Sequence, residues 1–368
     1  MKTDERIVDE ISSFLKKLPT SEERRTYHLI NRNGQCVVFK IFSYFSLEKK
    51  DNLDNLFDHL TQLTHLKELV VSGNKLTRVP DVLGSFPELE ILDLRNNMLT
   101  SVPSSISELK LKKLLLTENQ ITELPPTIDQ LTELEVLFLA NNSLKTLPES
   151  IGNISKLKIL NLAFNKLSKV PETITDLKNL MRLFLNDNNL SSLPDSLDSL
   201  DKLSMLELSN NKITSLPENI GKMTRLSRLY LSNNPIDSLP SSMATMKRLT
   251  QLSLKNTPLI RTERYKFLLA RKNLVIYGLD TTEAEVEREK LQSFQKLIRL
   301  SSNNIPFAVL KARLGFETDE MLINWLLGIR FEEFKIDWTG KFIVVTEQLK
   351  ESIDELLSSF EESGKTKQ

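Results

Sequence analysis

Along most of this chain the apolar residues follow neither the helical interval nor simple alternation, but a longer cycle. Leucines stand at L-x-x-L-x-L, an asparagine follows three places on and a further apolar residue two after that, as in Leu157, Leu160, Leu162, Asn165 and Leu167. The asparagines are Asn74, Asn97, Asn119, Asn142, Asn165, Asn188, Asn211 and Asn234, each 23 residues after the last except for one step of 22, from Asn97 to Asn119. Each unit then reaches a proline, at Pro80, Pro103, Pro125, Pro148, Pro171, Pro194, Pro217 and Pro240. Apolar residues follow three and six positions later, as Ile151 and Ile154 follow Pro148. A period of this length marks stacked units, none of which can bury its apolar side alone.

Each part of the unit has a physical reading. The L-x-L core predicts a short strand whose leucines point inward and whose intervening residue points outward. The asparagine falls where the chain leaves the strand, and a buried amide there can satisfy backbone groups of adjacent turns, so that a stack of them forms a ladder. Proline sets φ on the returning limb and ends the strand. The one missing residue falls between Pro103 and Leu111, which shortens a link and leaves strand and ladder positions intact.

This pattern resembles the leucine-rich repeat superfamily, in its 23-residue class with the L-P-x-x-I signature. Eight regular units cover residues 66 to 248. Residues 36 to 65 form a degenerate unit, with Cys36, Phe39 and Ile41 at strand spacing, and Asn33-Gly34 ahead of them predicts a hairpin with Thr26 to Asn31. At the other end Leu249, Leu252 and Leu254 keep the register, Thr257 replaces the asparagine, and a helix and a last strand follow. The resemblance implies an α/β solenoid with a curved parallel sheet and short convex segments. The expected organisation is an N-terminal helix and cap hairpin over 1–35, the solenoid with its capping units over 36–280, and a further domain over 283–368. In the helix, Ile7, Val8, Ile11, Phe14 and Leu15 fall at helical spacing.

The resemblance also implies that the strands line the concave surface, which makes the outward positions a map of a binding face. The central outward column reads Val70, Asp93, Leu115, Phe138, Asn161, Phe184, Glu207, Tyr230 and Ser253. Beside it run Ile91, Lys113, Val136, Ile159, Arg182, Met205 and Arg228, and Phe164 and Asp187 precede their asparagines. Val136, Phe138, Ile159, Phe164 and Phe184 should adjoin, with Ala140 and Ala163 leaving open space between them. Asp93, Lys113, Arg182, Asp187, Glu207 and Arg228 would form a polar rim. An apolar cluster of this kind marks a contact surface. The expected partner-binding residues are therefore Leu115, Val136, Phe138, Ile159, Phe164, Arg182, Phe184, Met205, Glu207, Arg228 and Tyr230.

After Gly278 the repeat ends. Residues 283–300 carry a helical pattern. Pro306 opens a helix that Gly315 closes, and Thr318 caps another with Leu322, Ile323 and Leu326 inward. Strands follow around Phe334, Ile336 and Trp338 and over residues 341–345, then a final helix through Leu349, Ile353, Leu356, Leu357 and Phe360. This order resembles a small α+β winged-helix domain of the kind that ends PCI-type scaffold subunits. Many winged helices bind DNA. Residues 283–368, however, hold 16 acidic against 12 basic side chains, a formal net of −4, the wrong sign for phosphate.

Composition narrows the function. Lys plus Arg (49) balance Asp plus Glu (49), so no global field draws the chain to nucleic acid or anionic membrane. No apolar run is long enough to span a bilayer. A single cysteine, Cys36, excludes an intramolecular disulfide and fits the cytoplasm. His28, His59 and His65 lack metal-ligand spacing, and no phosphate-binding or nucleophile motif occurs, so no catalytic residue, metal or cofactor is expected. Glu149, Glu172, Asp195 and Glu218 after the prolines read as a solvated face. The expected function is a non-enzymatic scaffold or adaptor that binds a protein on its concave face. The resemblance adds Ras-like small GTPases as a partner class. A nucleic-acid regulator acting through the winged helix, and a self-associating structural module, are the alternatives.

Overall fold

The computed structural model describes residues 3–17, 25–31, 33–42, 50–262, 274–278, 304–314, 335–337 and 342–344, with 265, 268, 290, 293–294, 297–298, 322 and 326. By its internal contacts the chain divides into two units, Met1–Ile236 with Pro240–Arg248, and Asp237–Leu239 with Leu249–Gln368.

The first unit opens with helix α1 (Asp4–Lys17), whose Ile7, Val8, Ile11 and Leu15 are buried. Asp4 ties it to the hairpin that follows by accepting a 2.7 Å bond from the Cys36 amide. Strands β1 (Arg25–Ile30) and β2 (Cys36–Phe42) form the expected antiparallel hairpin, with Gly34 at the turn in the left-handed region at φ 74°. Cys36, Phe39 and Ile41 are fully buried. The Cys36 thiol donates to the Val38 carbonyl, and burial, reinforced by the charge of Asp4, pushes its pKa up to about 11. Helix α2 (Lys50–Leu60) follows, and a stacked ring contact joins Phe14 to His59.

Thereafter each repeat adds one short parallel strand: β3 (Glu68–Ser72), β4 (Ile91–Asp93), β5 (Lys113–Leu115), β6 (Val136–Phe138), β7 (Ile159–Asn161), β8 (Arg182–Phe184), β9 (Met205–Glu207) and β10 (Arg228–Tyr230). Within this unit the strands lie in sequence order from β1 to β10. Register is constant, Lys113 opposite Val136 opposite Ile159, and Leu115 opposite Phe138 opposite Asn161 opposite Phe184. The leucine between each outward pair, such as Leu114, Leu137 and Leu160, is wholly buried.

The asparagine ladder explains why the repeats stack so regularly. The Asn165 Oδ1 accepts from the Leu144 amide of the preceding repeat at 2.9 Å. Its Nδ2 donates to the Leu139 carbonyl of that repeat and to Leu162 and Ala163 in its own. Asn142, Asn188, Asn211 and Asn234 repeat the pattern. Every ladder position is buried, and in the last unit Thr257 Oγ1 bonds within its own turn, donating to the Leu254 carbonyl.

The returning limb forms 3-10 turns, opened by the repeat's proline except after Pro194, where the turn spans Leu197–Ser199 and starts from Ser196. Ile151 donates its amide to the Pro148 carbonyl, and Ile174 does so to Pro171. Hydroxyls add a second ladder: Ser150 donates to the Pro126 carbonyl, Thr173 to Glu149 and Ser242 to Glu218, one repeat back in each case. The deletion between Pro103 and Leu111 is absorbed at Leu109, which is extended (φ −83°, ψ 153°), where Ile154 and Leu177 take ψ 70° and 64°. Glu149, Glu172, Asp195 and Glu218 are exposed.

In the second unit β11 (Gln251–Ser253) pairs in parallel with β12 (Val275–Tyr277), and helix α3 spans Pro258–Thr262. Three further strands, β13 (Ile305–Pro306), β14 (Lys335–Asp337) and β15 (Phe342–Val344), form an antiparallel sheet in the order β13-β15-β14. Helix α4 (Phe307–Leu314) starts immediately after Pro306, and its Phe307, Leu310 and Leu314 are buried, as are Leu322 and Leu326. Residues 290, 293, 294, 297 and 298 are helical, as the 283–300 pattern predicts, and the rest of that segment lies outside the described residues. So do Thr318, Ile323 and the final helix through Leu349 and Phe360.

Candidate protein-binding face

The outward positions of β5 to β10 form two straight columns, because parallel strands in constant register hold equivalent residues side by side, about 4.8 Å apart. One column carries Lys113, Val136, Ile159, Arg182, Met205 and Arg228, the other Leu115, Phe138, Asn161, Phe184, Glu207 and Tyr230. Lys113 and Arg182 are exposed and the remainder half-buried. The structure therefore aligns all the residues expected on this face apart from Phe164, which lies just beyond the strands.

Phe164 is the most distinctive residue of the face. It precedes the ladder asparagine, at φ 55°, in the left-handed region. Other repeats fill that position with Gly73, Asn96, Asn141, Asp187, Asn210 and Asn233, residue types that tolerate the conformation, with Glu118 the other exception. The neighbouring repeats impose the geometry. The Phe164 amide donates to the Asn186 carbonyl at 2.9 Å, and its own carbonyl accepts from the Asn142 amide at 3.2 Å. The backbone is thus clamped on both sides, and the ring remains 50% exposed.

Two expectations about the face are corrected. Ala140 and Ala163 are buried, so they leave no open floor between the aromatic residues. Asp93 is no solvated rim charge: it is 4% exposed and clamped by Arg95, whose Nη2 donates to Oδ2 at 2.7 Å and Nε to Oδ1 at 2.9 Å. Val70, in the same column, is also buried. The polar members of the column share one further role, that of satisfying the strand exit. Asp93, Asn161 and Glu207 accept from the amides of Arg95, Ala163 and Ser209 respectively, each two residues on. Burial holds the Glu207 carboxyl above its ordinary pKa, against the opposing pull of its bonds to Ser209, and nearby Asp187 pushes the same way as burial.

Sequence reasoning missed Met181. Its column begins with ion-paired residues, Glu90 with Lys112 at 2.9 Å and Glu135 with Lys158 at 2.8 Å, and Met181 interrupts them 46% exposed beside Arg182. The break in that charge alternation is visible in the sequence at Met181, once the column is written out.

His28 stacks on Phe39, His59 on Phe14, and His65 lies 3.1 Å from Glu88. Among the described residues no cluster of His, Cys, Asp and Glu has the arrangement of a metal site, and no helix is long and apolar enough to cross a membrane.

Stacked strands, the asparagine ladder and the proline-led turns together have a counterpart among known families. A leucine-rich repeat model matches residues 64–121, 109–167 and 155–213, and a two-copy leucine-rich repeat model matches 201–243. Residues 64–243 are leucine-rich repeats. No curated protein matches the chain. Solved structures similar to it include a leucine-rich repeat protein of Leptospira interrogans, 32% identical over 56% of this chain and 55% of that one, with a TM-score of 0.53. Another is the plant peptide hormone receptor RGFR1 in complex with RGF2, 29% identical over 68% of this chain and 39% of the receptor, with a TM-score of 0.54. A TDR receptor is 28% identical over 60% of this chain and 44% of its own, with a TM-score of 0.50. The chain thus spans about half or less of the length of these relatives. Leucine-rich repeats in general mediate protein–protein interaction.

Proposed function

We propose that the repeats bind a protein partner on the outward strand face, around Phe138, Phe164 and Phe184, and that the chain acts as a non-enzymatic scaffold or adaptor. The observation that carries this reading is Phe164, a large ring held half-exposed on a left-handed backbone where the other repeats, Glu118 apart, place asparagine, aspartate or glycine. Such a conformation costs of order 1–3 kcal/mol for a bulky side chain and recurs at binding sites. Asparagine would remove that cost, so the ring is the feature that a contact would select. Phe138 and Phe184 lie in register one repeat to either side, with Leu115, Val136, Ile159, Met205 and Tyr230 extending the apolar surface and Arg182, Arg228 and Glu207 beside it. Aromatic anchors with a charged margin have the composition of a contact surface. The receptor relative, solved in complex with RGF2, supports a protein or peptide as the ligand class.

Ras-like small GTPases are the partner class to test first, on the L-P-x-x-I resemblance. Cytoplasmic residence fits the single, buried, unreactive Cys36. For the C-terminal segment, the hairpin of β14 and β15 with β13 on its edge, ahead of which α4 runs, supports the winged-helix reading, and the net charge of −4 over residues 283–368 favours protein over nucleic acid there.

Affinity capture from native lysate, with the wild type beside a Phe138→Asp, Phe184→Asp double variant and Phe164→Asn, tests the face. Loss of the same captured proteins from both variants is expected, and identical sets from all three baits would overturn the reading. Titration of captured GTPases in their two nucleotide states then tests the partner class.

A further inference from the structure

The hairpin strand β1 stands at one end of the sheet, and among the described residues no strand pairs with its outer edge. Thr26, Tyr27, His28 and Leu29 are all exposed. Tyr27 and Leu29 are 50% and 47% exposed, the largest apolar exposures among the described side chains of the hairpin. They share the outward face: Tyr27 lies opposite Lys40, itself opposite Val70, and Leu29 lies opposite Val38, itself opposite Glu68. The strand carries no proline or lysine, residues that discourage strand addition; its one charged residue, Arg25, and its register irregularity, between Leu29 and Ile30, lie at its two ends.

We propose that β1 is a self-association edge, at which two copies of this chain pair their β1 strands antiparallel about a two-fold axis through His28. The register follows from complementarity. With His28 opposite itself, Tyr27 faces Leu29 of the second copy and Leu29 faces its Tyr27, so both exposed apolar residues are covered on one face by two identical pairs. A shift centred on Tyr27 leaves Leu29 opposite Arg25, and one centred on Leu29 leaves Tyr27 opposite Asn31. Aromatic–aliphatic pairs directly opposite each other are the stabilising unit of an antiparallel ladder. A two-fold seam of this kind is isologous and closes on itself, giving a dimer and not a fibre. Because the axis stands perpendicular to the sheet, the outward faces of the two copies point the same way. The seam is small, so the dimer is expected to dissociate on dilution.

The test uses the full chain. Sedimentation and light scattering across a wide concentration range should give twice the chain mass at the upper end. Y27K/L29K and Y27K/L29E remove the same apolar pairs and differ only in charge. The first sets like charges opposite one another and should remain monomeric. The second sets opposite charges face to face and should recover the dimer. All these sites are exposed, and unchanged circular dichroism checks the fold. Cross-linking reads the register. Opposed Cα atoms on the axis lie about 4.5–5.5 Å apart, within disulfide range. His28→Cys should therefore cross-link on mild oxidation, the native Cys36 being buried. Thr26→Cys, whose two copies would be roughly 14 Å apart along the strands, should not. A single-chain mass at every concentration overturns the proposal. So does a dimer that survives Y27K/L29K, or Thr26→Cys cross-linking as well as His28→Cys.

Discussion

Replacing Asn165 by alanine removes one rung of the ladder, and the structure sets what that costs. The carbonyls served by Nδ2 keep other donors: Leu139 retains Asn142 Nδ2 at 3.0 Å, Leu162 retains Asn188 Nδ2 at 2.9 Å, and Ala163 retains the Asn141 amide at 2.9 Å. The Leu144 amide has Asn165 Oδ1 as its acceptor, inside a buried turn, and loses it. One orphaned buried donor costs about 1–3 kcal/mol, and thinning three shared bonds adds about 1 kcal/mol, so Asn165→Ala should destabilise by about 2–4 kcal/mol. Asn165→Thr should recover less than about 1 kcal/mol of this, because a hydroxyl there repeats what Thr257 does, bonding within its own turn. Exposed Asn189→Ala should stay within about 0.5 kcal/mol of wild type. Urea unfolding supplies the energies, and amide exchange at Leu144 should accelerate selectively. A cost below about 0.5 kcal/mol for Asn165→Ala, or unchanged protection at Leu144, would refute the reasoning.

Other substitutions probe different parts of the same architecture. A methyl at Gly152 would lie 2.2 Å from the Thr173 carbonyl oxygen, and one at Gly221 as close to that of Ser242, so either Gly→Ala change should cost about 1–3 kcal/mol and lower Tm. Leu137→Asp buries an unpaired charge and should unfold its repeat, whereas Phe138→Asp, on the outward face, should leave the circular dichroism spectrum intact. Because the Glu207 pKa is raised, between its unfolded and folded values the folded chain holds a proton the unfolded chain has released; stability is undiminished by this group below the unfolded pKa and falls as pH rises from there to the raised value. Glu207→Gln keeps an acceptor for Ser209 and should therefore raise Tm at neutral pH, with the gain vanishing below the ordinary glutamate range. Cys36, with its pKa pushed up to about 11, should react with thiol reagents at neutral pH only as the hairpin unfolds, and labelling under native conditions would contradict its burial.

The repeat was legible because each unit solves the same local problem with the same residues. Leu160 and Asn165 differ little in surroundings from Leu137 and Asn142, so period alone assigns strand, inward face and ladder. The hairpin around Gly34 was legible for a related reason, since its turn and its alternating strand lie within a short stretch of chain. Exposure on the outward face was not legible. Asp93 is covered because Arg95 folds back on it, and Ala140 and Ala163 are buried where their small size suggested space. The hydroxyl bonds of Ser150, Thr173 and Ser242 span 24 residues, linking turns whose sequences vary too much to announce a partner.

The sequence by itself determined the solenoid, its inward leucines and its asparagine ladder, because those contacts recur at a constant separation and so impose a period. Tertiary structure alone decided that Phe164 stands on a left-handed backbone and that Tyr27 and Leu29 line an open edge. Both depend on what flanks them across repeats: the Asn142 amide and the Asn186 carbonyl clamp the first, and the end of the sheet leaves the second unpaired among the described residues. A side chain's inward or outward direction is a property of its own strand, but its conformational cost and its exposure belong to its neighbours.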